Sequence, residues 1–179
     1  MKFKYKLLMV VAPLIIILDQ ATKYLINSKM FIGERTAVIS SFFDIVHYTN
    51  KGAAFGIFSG SWSEAWREPF FYVISVVALV AIALVIVKLP DSERLTAVAL
   101  ALVVGGIFGN GIDRIRLGEV TDFLSFHIGN ASLWGFRLEW PAFNIADFAI
   151  SIAMILLLIS VFKFNTNECT NAPTHQRTK

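Results

Sequence analysis

Residues 70–89 read FFYVISVVALVAIALVIVKL, a run whose one charge, Lys88, lies near its far end. At ~1.5 Å rise per helical residue such a run crosses a hydrocarbon core of about 30 Å. Pro69 ahead of it fits the first position of a helix. Three other stretches approach the same length: Tyr5–Ile26, Leu95–Ile112 and Phe143–Phe164. The composition agrees: 56% of the 179 residues are hydrophobic and 16% charged, against about 25% charged in a soluble domain. The expected fold is therefore a mainly α membrane protein. Four transmembrane helices, at about 5–26, 70–89, 95–112 and 143–164, form one membrane-embedded domain over residues 1–164. The polar segment 165–179 reads as a disordered cytoplasmic tail.

The connections between runs differ in character. Residues 27–69 contain Thr36–Thr49, rich in β-branched and aromatic residues, which predicts a short strand or hairpin. Residues 113–142 contain a second β-like stretch, Phe123–Ile128, then Gly129-Asn130 as a turn and Leu133–Trp140. Together they predict a small sheet on the outer surface. Trp62, Trp66, Trp134 and Trp140 suit the headgroup level. Lys2, Lys4 and Lys6 before an apolar stretch also fit a signal peptide, but Asp19-Gln20-Ala21-Thr22-Lys23 has no small-residue cleavage pattern. The first run is thus expected to stay as a helix. Eight Lys and Arg in the short segments at the two ends and around Lys88 and Arg94, against seven in the two long connections, place both termini in the cytoplasm.

A net charge of +3 gives no nucleic-acid footprint, and the single cysteine, Cys169, excludes a disulfide framework or cysteine metal centre. His47, His127 and His175 all fall outside the apolar runs. No metal and no cofactor is expected.

The informative residues are the polar ones that interrupt the runs. A carboxylate at membrane depth costs roughly 2.5–3.5 kcal/mol or more. Asp19 lies in the outer third of the first run, with Lys23 one turn on. The third run ends in Gly105-Gly106-Ile107-Phe108-Gly109-Asn110, and Asn110, Asp113 and Arg114 share a face if the helix continues. The fourth begins Phe143-Asn144-Ile145-Ala146-Asp147. Asn50-Lys51-Gly52-Ala53-Ala54-Phe55 belongs to the first outer connection. An up-and-down topology brings all of these to the outer end of the bundle. Each also has a plainer role, such as ion pairing, helix packing, capping or a turn. Asp122 and Asp147, supplied by different segments, make the sharper case: two neighbouring carboxyls share a proton, and such a pair can activate water and polarise a carbonyl together. The competing class is a small proton- or ion-coupled carrier using the same acids as relay groups. The inner half of the bundle offers no polar path for it, since 7–18, 76–87 and 150–160 are almost wholly apolar.

These blocks, with Gly118-Glu119-Val120-Thr121-Asp122-Phe123, resemble the lipoprotein signal peptidase family, the bacterial signal peptidase II aspartyl proteases. They occur in the family's order across residues 19 to 147. The resemblance implies an aspartic endopeptidase of the bacterial inner membrane, with its site toward the extracytoplasmic side. It implies Asp122 and Asp147 as catalytic residues, and Asp19, Lys23, Asn50, Gly52, Ala53, Phe55, Gly106, Asn110, Arg114 and Asn144 as binding or pocket-supporting residues. It also implies cleavage of diacylglyceryl-modified prolipoproteins just before the lipidated cysteine, contact with membrane lipid, inhibition by globomycin-type cyclic peptides, and action as a monomer.

Overall fold

A computed structural model of the chain describes residues 1–52, 61–133 and 136–170. It contains the four expected helices: α1 (Phe3–Lys29), α2 (Ser61–Lys88), α3 (Arg94–Leu117) and α4 (Ile145–Thr170). Each is long and apolar enough to cross a membrane. Between them lie β1 (Arg35–Ile39) and β2 (Phe43–Asn50), then β3 (Val120–Leu133) and β4 (Phe136–Glu139) after α3. The strands form one antiparallel sheet in the order β1-β2-β3-β4.

Several boundaries differ from those read off hydropathy, because hydropathy reports membrane depth and not helicity. α3 continues five residues past Ile112, through Asp113, Arg114 and Arg116. Basic residues in a last turn favour the negative end of the helix dipole. The helix stops where Gly118 takes a left-handed φ of 75°, its N–H donating to the Arg114 carbonyl. α2 begins at Ser61, so Pro69 lies inside the helix and not at its start. α4 begins at Ile145 and carries on through residues 165–170, which polarity had assigned to the tail. The turn expected at Gly129-Asn130 is absent. β3 runs through both residues, and Gly129, at φ 53°, marks a register shift between His127 and Ser132.

α3 packs between α1 and α4, and α2 rests on α3. The glycines of α3 make this possible, as small residues do in lipid. A Cβ at Gly105 would lie 2.8 Å from the Ile15 Cβ, and one at Gly106 would lie 2.6 Å from Ile150 and 2.7 Å from the Ala146 carbonyl. The outward faces are apolar, with Val73, Val77, Val80, Leu84 and Val87 of α2 and Met154, Leu158 and Phe162 of α4 all exposed. A contiguous apolar surface of this kind suits lipid. At the opposite end of the bundle from the sheet, Lys4 is buried and donates to the carbonyls of Val87 (3.0 Å) and Leu89 (2.6 Å), closing the C-terminus of α2.

The sheet is tied together by side chains from every strand. Arg35 pairs with Asp44 at 2.7 Å and with Glu139, and donates to the Tyr48 hydroxyl. His127 Nε2 lies 3.1 Å from Asp44, and Ser125 donates to Glu139 at 2.6 Å. Burial pushes the Asp44 carboxyl up, but hydrogen bonds from His127 and Arg35 outweigh it and hold it below the usual range. Trp66 and Trp140 are exposed, as interfacial anchors would be. The side chains of Trp62 and Trp134 lie outside the described residues.

Candidate active site

The sheet meets the bundle where α4 begins. Phe143 bridges to Leu124 of β3 through backbone hydrogen bonds, so the first turn of α4 and the start of β3 are held side by side. Asn144 precedes the helix and caps it. Its Oδ1 accepts from the Asp147 N–H at 3.0 Å, while Asp147 Oδ2 accepts from the Asn144 N–H at 3.3 Å. This reciprocal pattern is a capping box, with Asp in place of the usual Glu. It satisfies helix-end donors and fixes the Asp147 carboxylate by the same bonds.

The other end of the Asn144 side chain faces β3. Its Nδ2 donates to Asp122 Oδ1 at 2.8 Å, with longer contacts to Asn110 Oδ1 (3.1 Å) and the Thr121 carbonyl (3.3 Å). The fully buried Asn144 therefore touches both carboxyls, Asp122 through its side-chain amide and Asp147 through its backbone N–H. Asn110 of α3 donates to Asp147 Oδ1 at 2.7 Å, and Asn50 of β2 donates to Asp122 Oδ2 at 3.1 Å. The Asn50 Oδ1 turns back to accept the Gly52 N–H at 2.7 Å. Gly52 needs to be glycine, since its φ is +90° and a Cβ would fall 2.1 Å from the Phe71 ring.

Behind this layer lies a charged one. Lys23 is fully buried and donates to Asp19 (2.8 Å), Asp113 (3.0 Å) and Asn110 Oδ1 (2.9 Å). Asp19 Oδ1 accepts the Ala146 N–H at 3.0 Å, placing a carboxylate at the N-terminus of α4. Asp113 also accepts from Gln20 at 2.9 Å and from the Thr121 N–H at 3.2 Å.

Among the described residues, Asp122 and Asp147 form no ion pair, because Lys23 is taken up by Asp19 and Asp113. Arg114 is near enough to act on both electrostatically, but its guanidinium sits 4.5 Å over the Phe71 ring. Asp122, in β3 and 4% exposed, is the strongly shifted acid. Burial and the neighbouring Asp147 push it from 3.8 to about 7, against the hydrogen bonds of Asn50 and Asn144 and the Lys23 charge. The site thus holds two carboxyls oriented by three asparagines and separated from the nearest lysine by an amide.

The family described as Signal peptidase (SPase) II matches residues 11–163. The chain belongs to the signal peptidase II family. A lipoprotein signal peptidase of Geobacter metallireducens is 39% identical over 91% of this chain and 94% of its own, and one of Geobacillus kaustophilus is 38% identical over 90% and 96%. A solved structure, titled as a bacterial membrane enzyme determined by the in meso method at 2.3 Å resolution, superposes with a TM-score of 0.74. It is 33% identical, covering 96% of this chain and 94% of that one. As a signal peptidase II family member the chain is a peptidase consistent with the aspartic type, and the carrier reading is not favoured.

The structure joins Asp19, Lys23, Asn50, Gly52, Asn110, Asn144, Asp122 and Asp147 in one network. Gly106 lets α3 and α4 approach closely. The face of α3 that carries Gly105, Gly106 and Gly109 is covered by α1 and α4. Ala53 and Phe55 lie outside the described residues. Gln20 and Asp113 belong to the network although spacing had not singled them out as site residues. Asp113 was visible three residues after Asn110, but an acid beside Arg114 reads as an ordinary ion pair. We expect Gly106→Val to lower the thermal midpoint, by an overpacking cost of about 1–3 kcal/mol, and turnover with it. A variant of unchanged midpoint would show that α3 and α4 do not pack through this glycine.

Proposed function

We propose that the chain is an aspartic endopeptidase that removes signal peptides from diacylglyceryl-modified prolipoproteins, cutting just before the lipidated cysteine. The observation that carries this reading is Asn144, whose side-chain amide bonds the Asp122 carboxyl and whose backbone N–H bonds the Asp147 carboxyl, at a pair that forms no ion pair among the described residues. The pair holds one proton. Its ionised member takes a proton from water as that water attacks the scissile carbonyl, and its protonated member donates to the carbonyl oxygen. Collapse of the tetrahedral intermediate passes a proton to the leaving amine. Acid and base belong to the pair and not to one residue. The remaining network residues, with Ala53 and Phe55, support the pocket.

We place the enzyme in the bacterial inner membrane, with cytoplasmic termini and the sheet on the extracytoplasmic side, acting as a monomer among membrane lipids. There a lipid-anchored substrate presents its scissile bond near the outer headgroups. Globomycin-type cyclic peptides are expected to inhibit it. The test is purified protein in lipid with a diacylglyceryl-modified prolipoprotein, the products read by mass spectrometry. A single cut before the modified cysteine supports the reading, and no cut by well-folded protein sinks it.

The pH dependence follows from Asp122. A raised carboxyl keeps its proton until about pH 7, so the singly protonated pair loses its acid as pH climbs through that value. We expect kcat/KM to fall about tenfold per pH unit above it. A profile level to pH 9 would contradict the shared-proton pair.

A further inference from the structure

Lys23 spends all three of its ammonium protons inside the protein, on Asp19, Asp113 and Asn110. The contact with Asn110 differs in kind from the two ion pairs. Asn110 Oδ1 faces only donors, Lys23 Nζ at 2.9 Å and Asn144 Nδ2 at 3.1 Å. The amide therefore cannot turn over without setting its NH2 group against an ammonium. Its one satisfied orientation aims Nδ2 at Asp147 Oδ1, 2.7 Å away. We propose that Lys23 is a positioning residue for the carboxyl pair. Clamped by Asp19 and Asp113, it locks the Asn110 amide toward Asp147 and supplies the fixed positive charge against which the pair shares its proton. This inference rests on the two-carboxyl reading above.

The charged groups facing Lys23 come from every element packed around it. Asp19 shares its helix, Asp113 comes from α3 and Asp122 from β3; Arg116 of α3 lines the same cleft, and Asp147 is reached through Asn110. The two carboxylates in contact leave the clamp one negative charge overall, so it has no excess cation to neutralise the pair. Its effect runs through orientation and through the field at close range. Asp122 already feels that field, since the Lys23 charge pulls its carboxyl down against burial. A cleft of about 180 Å³ opens on this cluster, lined by Gln20, Lys23, Tyr24, Asn27, Asp113, Arg116 and Leu117, and neither Asp122 nor Asp147 lines it. Lys23 itself is buried, so it is the space left by truncating it that would open onto this cleft.

The test compares Lys23→Met with wild type in lipid, measuring kcat, KM and the alkaline limb of the pH profile on a diacylglyceryl prolipoprotein. Lys23→Met leaves Asp19 and Asp113 unpaired, which endangers folding. Lys23→Met/Asp113→Asn keeps the cluster's net charge and is measured alongside. The expected result is a kcat lower by roughly 100-fold, as misplaced catalytic groups cause, with KM within about twofold. The limb should move up by about one pH unit, because the pair holds its proton more tightly once the cation is gone. Partial recovery of Lys23→Ala by ethylammonium, and none by tetramethylammonium, which cannot donate, would support the same conclusion. Where turnover is too low to profile, the pH dependence of the thermal midpoint reports the same titration. An unmoved limb overturns the proposal whatever happens to kcat, since a merely structural lysine would leave the titration in place. Asp122→Asn and Asp147→Asn serve as controls. If those variants cut normally the two-carboxyl reading itself has failed, and if they are inactive while Lys23→Met behaves as wild type only the role of Lys23 has.

Discussion

Asp122→Asn and Asp147→Asn are each expected to lower turnover of a diacylglyceryl prolipoprotein by roughly 10³–10⁴-fold, the upper range for removing a positioned acid or base. Each should stay folded, because Asn matches Asp in shape and buries no charge, which offsets setting its NH2 group against one of the two donors that each carboxyl accepts from. The Asp122 variant carries a second signature. In wild type, folding takes up a proton at Asp122 between 3.8 and about 7. The native state binds more protons than the unfolded chain in that window, so stability falls with rising pH across it and levels off above. Asn has no charge to bury. The thermal midpoint of Asp122→Asn relative to wild type should therefore rise from pH 4 to pH 8. A constant difference would show that Asp122 is not the raised acid, and full turnover by either variant would remove both from the mechanism.

Asn144→Ala is expected to damage stability and chemistry together. The cap of α4 is lost, at about 0.5–2 kcal/mol, and Asp122 loses its 2.8 Å donor. Turnover should fall by about 100-fold, since Asp122 loses a donor and the helix turn that carries Asp147 loses its cap. Asn144→Asp separates the two effects. It preserves an acceptor for the Asp147 N–H and so keeps the helix cap, but it places a third carboxyl against Asp122. It should recover much of the midpoint lost by the Ala variant while remaining inactive. An active Asn144→Asp would mean that the amide serves the helix alone.

The spans, their up-and-down order and the outer hairpin were all legible in the sequence, because apolar runs of helical length and β-branched stretches each have one natural reading. The gathering of Asp19, Asn50, Asn110, Asn144 and the two acids at one end followed from topology. The ends of elements were not legible. α3 continues past Ile112 because Asp113 and Arg114 are sound helix residues even where they leave the apolar core, and Gly129-Asn130 sits within a strand because partners on Ser41 and on β4 outweigh its turn preference. Nor could spacing show that Lys23 is spent on Asp19 and Asp113, leaving Asp122 and Asp147 without an ion pair among the described residues. That distinction depends on which side chains meet across three helices.

The tie from Lys4 to the carbonyls of Val87 and Leu89 joins residues 83 and 85 positions apart. The lysine leaves the ribosome more than eighty residues ahead of its acceptors, which emerge only when the second helix is complete. The amino terminus therefore has to wait, near the membrane and unencumbered, for a hairpin not yet made. A bulky group attached beside Lys4 would compete with that wait.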